Sequence, residues 1–155
     1  MRIAPDGLWY YMGTPINRPA MVRLFSTILR RDGERFVLVT PVEKVGIRVD
    51  DAPFLAVAMA AEGKGQGQCL TFTTNVGDIT AAGEAHPMRT LTDPATGAPR
   101  PYVHVRGGLE ALIGRTLFYD LVALAVPGEG AYSGLLGVWS GGIFFSLGPL
   151  PEGWV

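Results

Sequence analysis

Met21-Val22-Arg23-Leu24-Phe25-Ser26-Thr27-Ile28-Leu29-Arg30-Arg31-Asp32-Gly33, followed directly by Glu34-Arg35-Phe36-Val37-Leu38-Val39-Thr40, changes its apolar period from that of a helix to that of a strand. Met21, Leu24, Phe25, Ile28 and Leu29 recur at the spacing of one helical face, and Pro19 suits a first turn, where no backbone donor is lost. Arg30 and Arg31 fall where cations favour the end of a helix dipole, so the spacing predicts a helix running to Arg31 with Asp32-Gly33 as its stop. Arg35 to Thr40 is nearly all apolar or β-branched, Pro41 interrupts, and Lys44-Val45-Gly46-Ile47-Arg48-Val49 alternates strictly. The two runs are expected to pair as a hairpin with one wet face, and a helix beside antiparallel strands is the basis of an α+β reading.

Outward from this stretch, Leu8-Trp9-Tyr10-Tyr11-Met12 reads as a strand ended by Gly13-Thr14-Pro15, and Phe54 to Met59 and Cys69 to Thr74 read as strands separated by a flexible Gly63-Lys64-Gly65-Gln66-Gly67 connection. Thr92 to Pro101 is dense in turn formers and reads as a long loop or domain linker. Tyr102-Val103-His104-Val105 is a strand. Leu109, Leu112, Ile113, Thr116 and Leu117 continue at helical spacing, with Gly114 dividing them into two short helices. Leu135 to Trp139 and Ile143 to Leu147 flank Gly141-Gly142 as a hairpin. The order strand, helix, hairpin thus occurs twice, and the expected division is residues 1–88 and 89–155.

Hydrophobic residues make up 48% of the 155-residue chain and charged residues 17%, the reverse of a disordered composition. No apolar run reaches membrane-spanning length and the N-terminus has no signal core, so a cytoplasmic location is expected. The one cysteine, Cys69, has no intrachain disulfide partner. A net charge of −1 gives a polyanion no overall attraction, which argues against nucleic acid and anionic membranes as partners. Eleven of the thirteen cationic residues are arginine, which suits bidentate anion contacts but is also what codon bias produces.

The sequence resembles the bacterial DUF1285 family. The resemblance rests on Asp6-Gly7-Leu8-Trp9-Tyr10 with Gly13-Thr14-Pro15-Ile16, on Leu38 to Lys44, on Asp50-Asp51-Ala52-Pro53-Phe54 and on Thr74-Asn75-Val76-Gly77-Asp78. It continues through His86-Pro87-Met88-Arg89, Pro101-Tyr102-Val103, Val105 to Leu112, Ser140-Gly141-Gly142 and Leu147-Gly148, and so covers essentially the whole chain. It implies an α+β protein of two related, roll-like halves with a part in signal transduction, and it brings no catalytic activity.

Asn75, Asp78, His86 and Arg89 place an amide, an acid, an imidazole and a guanidinium on loops leaving a sheet, where they could bind an anion, although turn capping also explains Asn75 and Asp78. His104 and Arg106 share one strand face with Tyr102. The six residues Asn75, Asp78, His86, Arg89, His104 and Arg106 form the candidate binding site, set between the two halves. His86, His104 and Asp78, if they converged, would supply a general acid and base, and an acid–base hydrolase is the alternative. One cysteine and two distant histidines match no usual zinc set, Gly137-Val138-Trp139-Ser140-Gly141 lacks a nucleophile-elbow spacing, and Gly63 to Gly67 does not open a helix as a phosphate loop must. No metal, cofactor or catalytic residue is therefore expected. The expected protein is a small binding or regulatory module with an unknown small ligand or protein partner. A chain this apolar, with few charges and with Trp9, Trp139 and Trp154, must either bury these residues efficiently or offer an apolar surface to a partner, which would be a second copy of itself or a docking protein, and a purely structural interaction module is the third reading.

Overall fold

The computed structural model describes residues 1–154. The chain forms β1 (Arg2–Ile3), β2 (Trp9–Tyr11), β3 (Thr14–Pro15), α1 (Pro19–Thr27), β4 (Leu29–Asp32), β5 (Arg35–Val39) and β6 (Lys44–Val49). It continues with β7 (Phe54–Glu62), β8 (Cys69–Thr74), β9 (Ile79–Ala81), β10 (Met88–Thr92), β11 (Pro99–Arg106) and β12 (Leu109–Ile113). After α2 (Arg115–Ala123) come β13 (Val126–Pro127), β14 (Leu135–Ser140) and β15 (Ile143–Pro149). Strands hold 47% of the chain and α1 and α2 are the only α-helices among the described residues, so the protein is mostly β and fits an α+β description loosely.

The strands form a six-stranded sheet β3-β2-β1-β6-β5-β4, a second six-stranded sheet β10-β11-β12-β7-β8-β9 and a three-stranded sheet β13-β14-β15. Pairing is antiparallel except at one place in each large sheet, where β1 runs parallel to β6 and β12 runs parallel to β7. The chain leaves the first sheet at Asp50 and enters the second at Phe54. The expected boundary at 88/89 instead falls at the start of β10, inside the second sheet.

Three elements differ from the sequence reading, each for a local reason. Helix α1 ends at Thr27, because the hydroxyls of Ser26 and Thr27 donate to the carbonyls of Arg23 and Leu24, both at 2.6 Å, and compete with the helical ladder. Leu29 then enters the core as the first residue of β4, opposite Leu38, and Gly33, at φ +62°, supplies the left-handed turn residue of the β4–β5 hairpin rather than a helix stop. Leu109 to Ile113 is a strand, not a helix: Leu109, Ala111 and Ile113 alternate into the core while β11 and β7 pair on either side. Thr92 to Pro101 is the closed tip of a hairpin, since Thr92 pairs with Pro99 and the Asp93 carboxylate accepts the N–H groups of Ala95 and Thr96.

One core runs through both halves, from Ile3, Trp9 and Leu38 to Phe54, Phe72, Val103 and Val138. Buried Ser140 docks the third sheet on the second: its Oγ accepts the Leu70 N–H at 2.8 Å and donates to the Ala82 carbonyl at 2.7 Å. The link between the halves is tied down by Asp51, whose carboxylate accepts the Tyr102 hydroxyl at 2.6 Å and pairs with Arg100. Burial, reinforced by the bond to Asp51, pushes the Tyr102 phenol up to about 12.

Two outcomes follow from these contacts. Ser140→Ala strands the Leu70 N–H and the Ala82 carbonyl in the core and should lower stability by about 1–3 kcal/mol, seen as a lower urea midpoint at unchanged slope. Below pH 10 the phenol of Tyr102 is protonated folded or unfolded, whereas between 10 and about 12 only the unfolded chain loses the proton. Stability should therefore fall across that window by on the order of 2 kcal/mol, and Tyr102→Phe should flatten that part of the profile of midpoint against pH.

Candidate functional site

Arg23, Ser26 and Thr27 on the last turns of α1, with Arg30 in β4 just beyond them, make a polar stripe around the end of the helix. Opposite this stripe stand two turns of the second half, Val76-Gly77-Asp78 between β8 and β9 and Gly107-Gly108 between β11 and β12. Between them lies an open cavity of about 550 Å³. Its walls carry three guanidinium groups, Arg23, Arg30 and Arg106, and one carboxylate, Asp78, over an apolar lining that includes Leu29, Val76 and Leu109.

Two of the three arginines are held by backbone carbonyls. Arg106 donates from Nη2 to the Ser26 carbonyl at 2.7 Å, lies 5.3 Å above the centre of the Phe54 ring and stands 3.7 Å from an Asp78 carboxylate oxygen. Arg30 donates from Nη1 to the carbonyls of Thr27 and Leu29, both at 2.8 Å, capping the end of α1. These bonds use one nitrogen of each planar fork, and the other N–H groups of both side chains have no acceptor among the described residues. The turn bearing Asp78 is equally fixed: the Thr74 N–H donates to the Asp78 carbonyl at 2.8 Å, and the Asp78 N–H returns to the Thr74 hydroxyl at 3.1 Å.

Of the six residues expected to form one site, Asp78 and Arg106 meet at this cavity and the other four have different partners. Asn75 ties the halves together: its Oδ1 accepts the Leu55 N–H at 3.1 Å and its Nδ2 donates to the Gly7 carbonyl at 3.3 Å. Gly7 is at φ +85°, and a Cβ there would sit 2.7 Å from Asn75 Nδ2, so glycine is needed for both the backbone shape and the close approach. Arg89 is committed to Glu110 through two bonds of 2.7 Å and lies over the Tyr102 ring; the bonds to Glu110 hold its guanidinium above the usual range.

His86 and His104 stack on each other with their Nδ1 atoms 3.3 Å apart. The Gly108 N–H donates to His104 Nε2 at 3.1 Å, so that nitrogen is an acceptor and the neutral ring carries its proton on Nδ1. His104 Nδ1 then donates to His86 Nδ1, which places the His86 proton on Nε2. A metal bridging the two Nδ1 atoms would have to displace that proton or break the Gly108 bond. Asp78 pairs with Arg106, and no hydrogen bond joins it to either imidazole among the described residues. The hydrogen bonds thus assemble no acid–base set from His86, His104 and Asp78.

Arg23, Arg30 and Ser26 are the cavity residues that the sequence reading passed over. Arg23 and Ser26 lie on the complement of the apolar face used to recognise α1, whereas Arg30 reaches the cavity from β4, outside the helix.

Two family models match the chain in order: "Domain of unknown function (DUF1285), N-terminal domain" over residues 1–52 and "Protein of unknown function (DUF1285), C-terminal domain" over residues 53–147. Their junction coincides with the passage from the first large sheet to the second. The chain is similar to the crystal structure of a DUF1285 family protein from Silicibacter pomeroyi DSS-3, with 62% identity and a TM-score of 0.92 over 97% of this chain and 80% of that one. It is also similar to a DUF1285 family protein from Shewanella baltica OS155, with 29% identity and a TM-score of 0.61 over 79% of this chain and 89% of that one. No curated protein matches it. With both halves matched in order and a relative this similar along nearly its whole length, the chain belongs to the DUF1285 family.

Proposed function

We propose that this protein is a small binding and regulatory module whose ligand is anionic and occupies the cleft between its two halves. The observation that carries the reading is the surplus of positive charge around the cavity: three guanidiniums face one carboxylate in a chain whose net charge is −1. Like charges gathered around one cleft repel, and a bound anion relieves that repulsion. The volume of about 550 Å³ falls within the range of small-molecule sites. Because the walls come from both halves, occupancy couples to how the halves sit together, which is what a signalling role of the kind implied by the family resemblance requires. No helix among the described residues is long and apolar enough to cross a membrane.

The test is a thermal-shift series at low salt against neutral sugars, amines, monocarboxylates, dicarboxylates, sulfate and phosphorylated compounds. At a concentration about a hundred times Kd, an anion that binds only the folded chain stabilises it by roughly 2.7 kcal/mol, a rise of several degrees in Tm. The expected outcome is such a rise with at least one anion and with no neutral or cationic compound, abolished in an Arg23→Ala/Arg30→Ala variant. No anion raising Tm, or a rise unchanged in that variant, would sink the proposal.

A further inference from the structure

We infer that the anion this cleft takes is a phosphate monoester carried on a hydroxylated organic molecule, an assignment that rests on the cleft being the ligand site. The first argument is charge. Three guanidiniums against Asp78 leave a surplus of two positive charges, and a phosphate monoester carries about −1.5 to −2 near neutral pH, whereas a carboxylate or a phosphate diester carries one.

The second argument is the shape of the donors. Arg106 and Arg30 are anchored through single nitrogens to the carbonyls of Ser26, Thr27 and Leu29, which leaves planar N–H edges already oriented and their side-chain entropy largely spent. A phosphate with three terminal oxygens accepts several such edges at one point. A dicarboxylate accepts them only at two separated points.

The third argument is the rest of the cavity. A volume of about 550 Å³ is far more than an inorganic oxyanion fills, and Leu29, Val76 and Leu109 supply apolar wall. Asp78 repels a second anionic group and offers an acceptor to a ligand hydroxyl, which favours a sugar next to the phosphate over a polyanion. Arg23 also borders a second cavity of about 460 Å³ along the same seam, lined by Leu8, Trp9, Leu55 and Asn75. A ligand longer than a sugar phosphate therefore has room to continue beyond the phosphate.

Titration calorimetry with ribose 5-phosphate, adenosine 5′-monophosphate, 3′,5′-cyclic AMP, succinate and inorganic phosphate tests the assignment. Ribose 5-phosphate or adenosine 5′-monophosphate should bind at least tenfold more tightly than cyclic AMP or succinate, and their relative affinities show whether the base contributes. Arg23→Gln/Arg30→Gln should weaken that binding at least tenfold, and Arg23→Gln alone, whose side chain makes no hydrogen bond among the described residues, should weaken it while leaving Tm of the unliganded protein unchanged or raised, which separates lost contacts from lost fold. Asp78→Ala should reduce the preference for ribose 5-phosphate over inorganic phosphate. Succinate or cyclic AMP binding as tightly as the monoesters would overturn the phosphate assignment and leave an anion cleft standing. Monoester binding that ignores the arginine substitutions would place the ligand elsewhere and overturn it too, and an unchanged preference in Asp78→Ala would remove the hydroxyl contact. If no probe bound, the assignment and the anion reading would fall together.

Discussion

Arg106 spans the seam on which the rest of the molecule depends. It leaves the end of β11 in the second half, crosses above Phe54 at the start of β7, and donates to the carbonyl of Ser26 at the end of α1 in the first half. A charged donor on a backbone carbonyl contributes roughly 1.5–3 kcal/mol and a partly desolvated cation over an aromatic ring about 0.5–2 kcal/mol. One side chain thus joins an ion-to-carbonyl bond and a ring contact across a seam that is also held by apolar core, the Asn75 fork, the Arg31 bond to the Gly108 carbonyl and the contacts of Asp51 with Arg100 and Tyr102. The same guanidinium forms a wall of the cleft, so the contact that fixes how the halves meet also fixes the geometry of the candidate site.

Strands with a clear alternation or a strong turn were legible from residues alone: β5 and β6, β8, and the β14–β15 hairpin around Gly141-Gly142 all lie where their sequence places them. Segments whose apolar residues satisfy two periods were not. Leu109, Ala111 and Ile113 fit a two-residue period, while Leu109, Leu112 and Ile113 fit a helical one. Only the neighbouring strands β7 and β11, remote in sequence or approached through a glycine turn, decide between them. At Ile28-Leu29 the deciding feature was Ser26-Thr27, whose hydroxyls bond backward and end a helix that apolar spacing alone would extend. The junction of the halves was hidden for a related reason. Asp50-Asp51-Ala52-Pro53 is short and looks like any turn, and its importance lies in Asp51 reaching Arg100 and Tyr102, about fifty residues further on.

The candidate site was half legible. Asp78 and Arg106 stand out because each is a charged residue beside a turn or strand end, but the pairing of His86 with His104 and of Arg89 with Glu110 is a matter of sheet register, invisible without the fold. His104 lies across β11–β12 from Glu110, and Arg89 lies across β10–β11 from Tyr102, so one sheet face carries Arg89, Tyr102, His104 and Glu110, with His86 stacked on His104. There they satisfy one another: the imidazoles share a proton contact and the guanidinium is taken up by two carboxylate oxygens. A polar cluster that closes its own hydrogen bonds stiffens a sheet and leaves few groups for a ligand.

The opposite condition holds at the cleft, and the contrast gives the site its meaning. Arg2 and Arg48 with Asp50, Lys44 with Asp32, Arg89 with Glu110 and Arg100 with Asp51 each set a cation directly against a carboxylate. Bonding to Arg2 and to Lys44 holds the carboxyls of Asp50 and Asp32 below the usual carboxylate range, so these pairs stabilise the fold at neutral pH and lose that contribution as pH falls through the depressed values. Charge in these pairs is thus locally neutralised. Around the cleft it is not: Arg106 shares Asp78 at 3.7 Å, Arg30 rests on neutral carbonyls, and Arg23 has no hydrogen-bond partner among the described residues. Carbonyl anchors hold a guanidinium without neutralising it, which leaves its charge in place at the cavity wall. Three arginines that share one carboxylate at the junction of the halves repel one another there, and that repulsion is the physical ground on which an anion is proposed for the cleft.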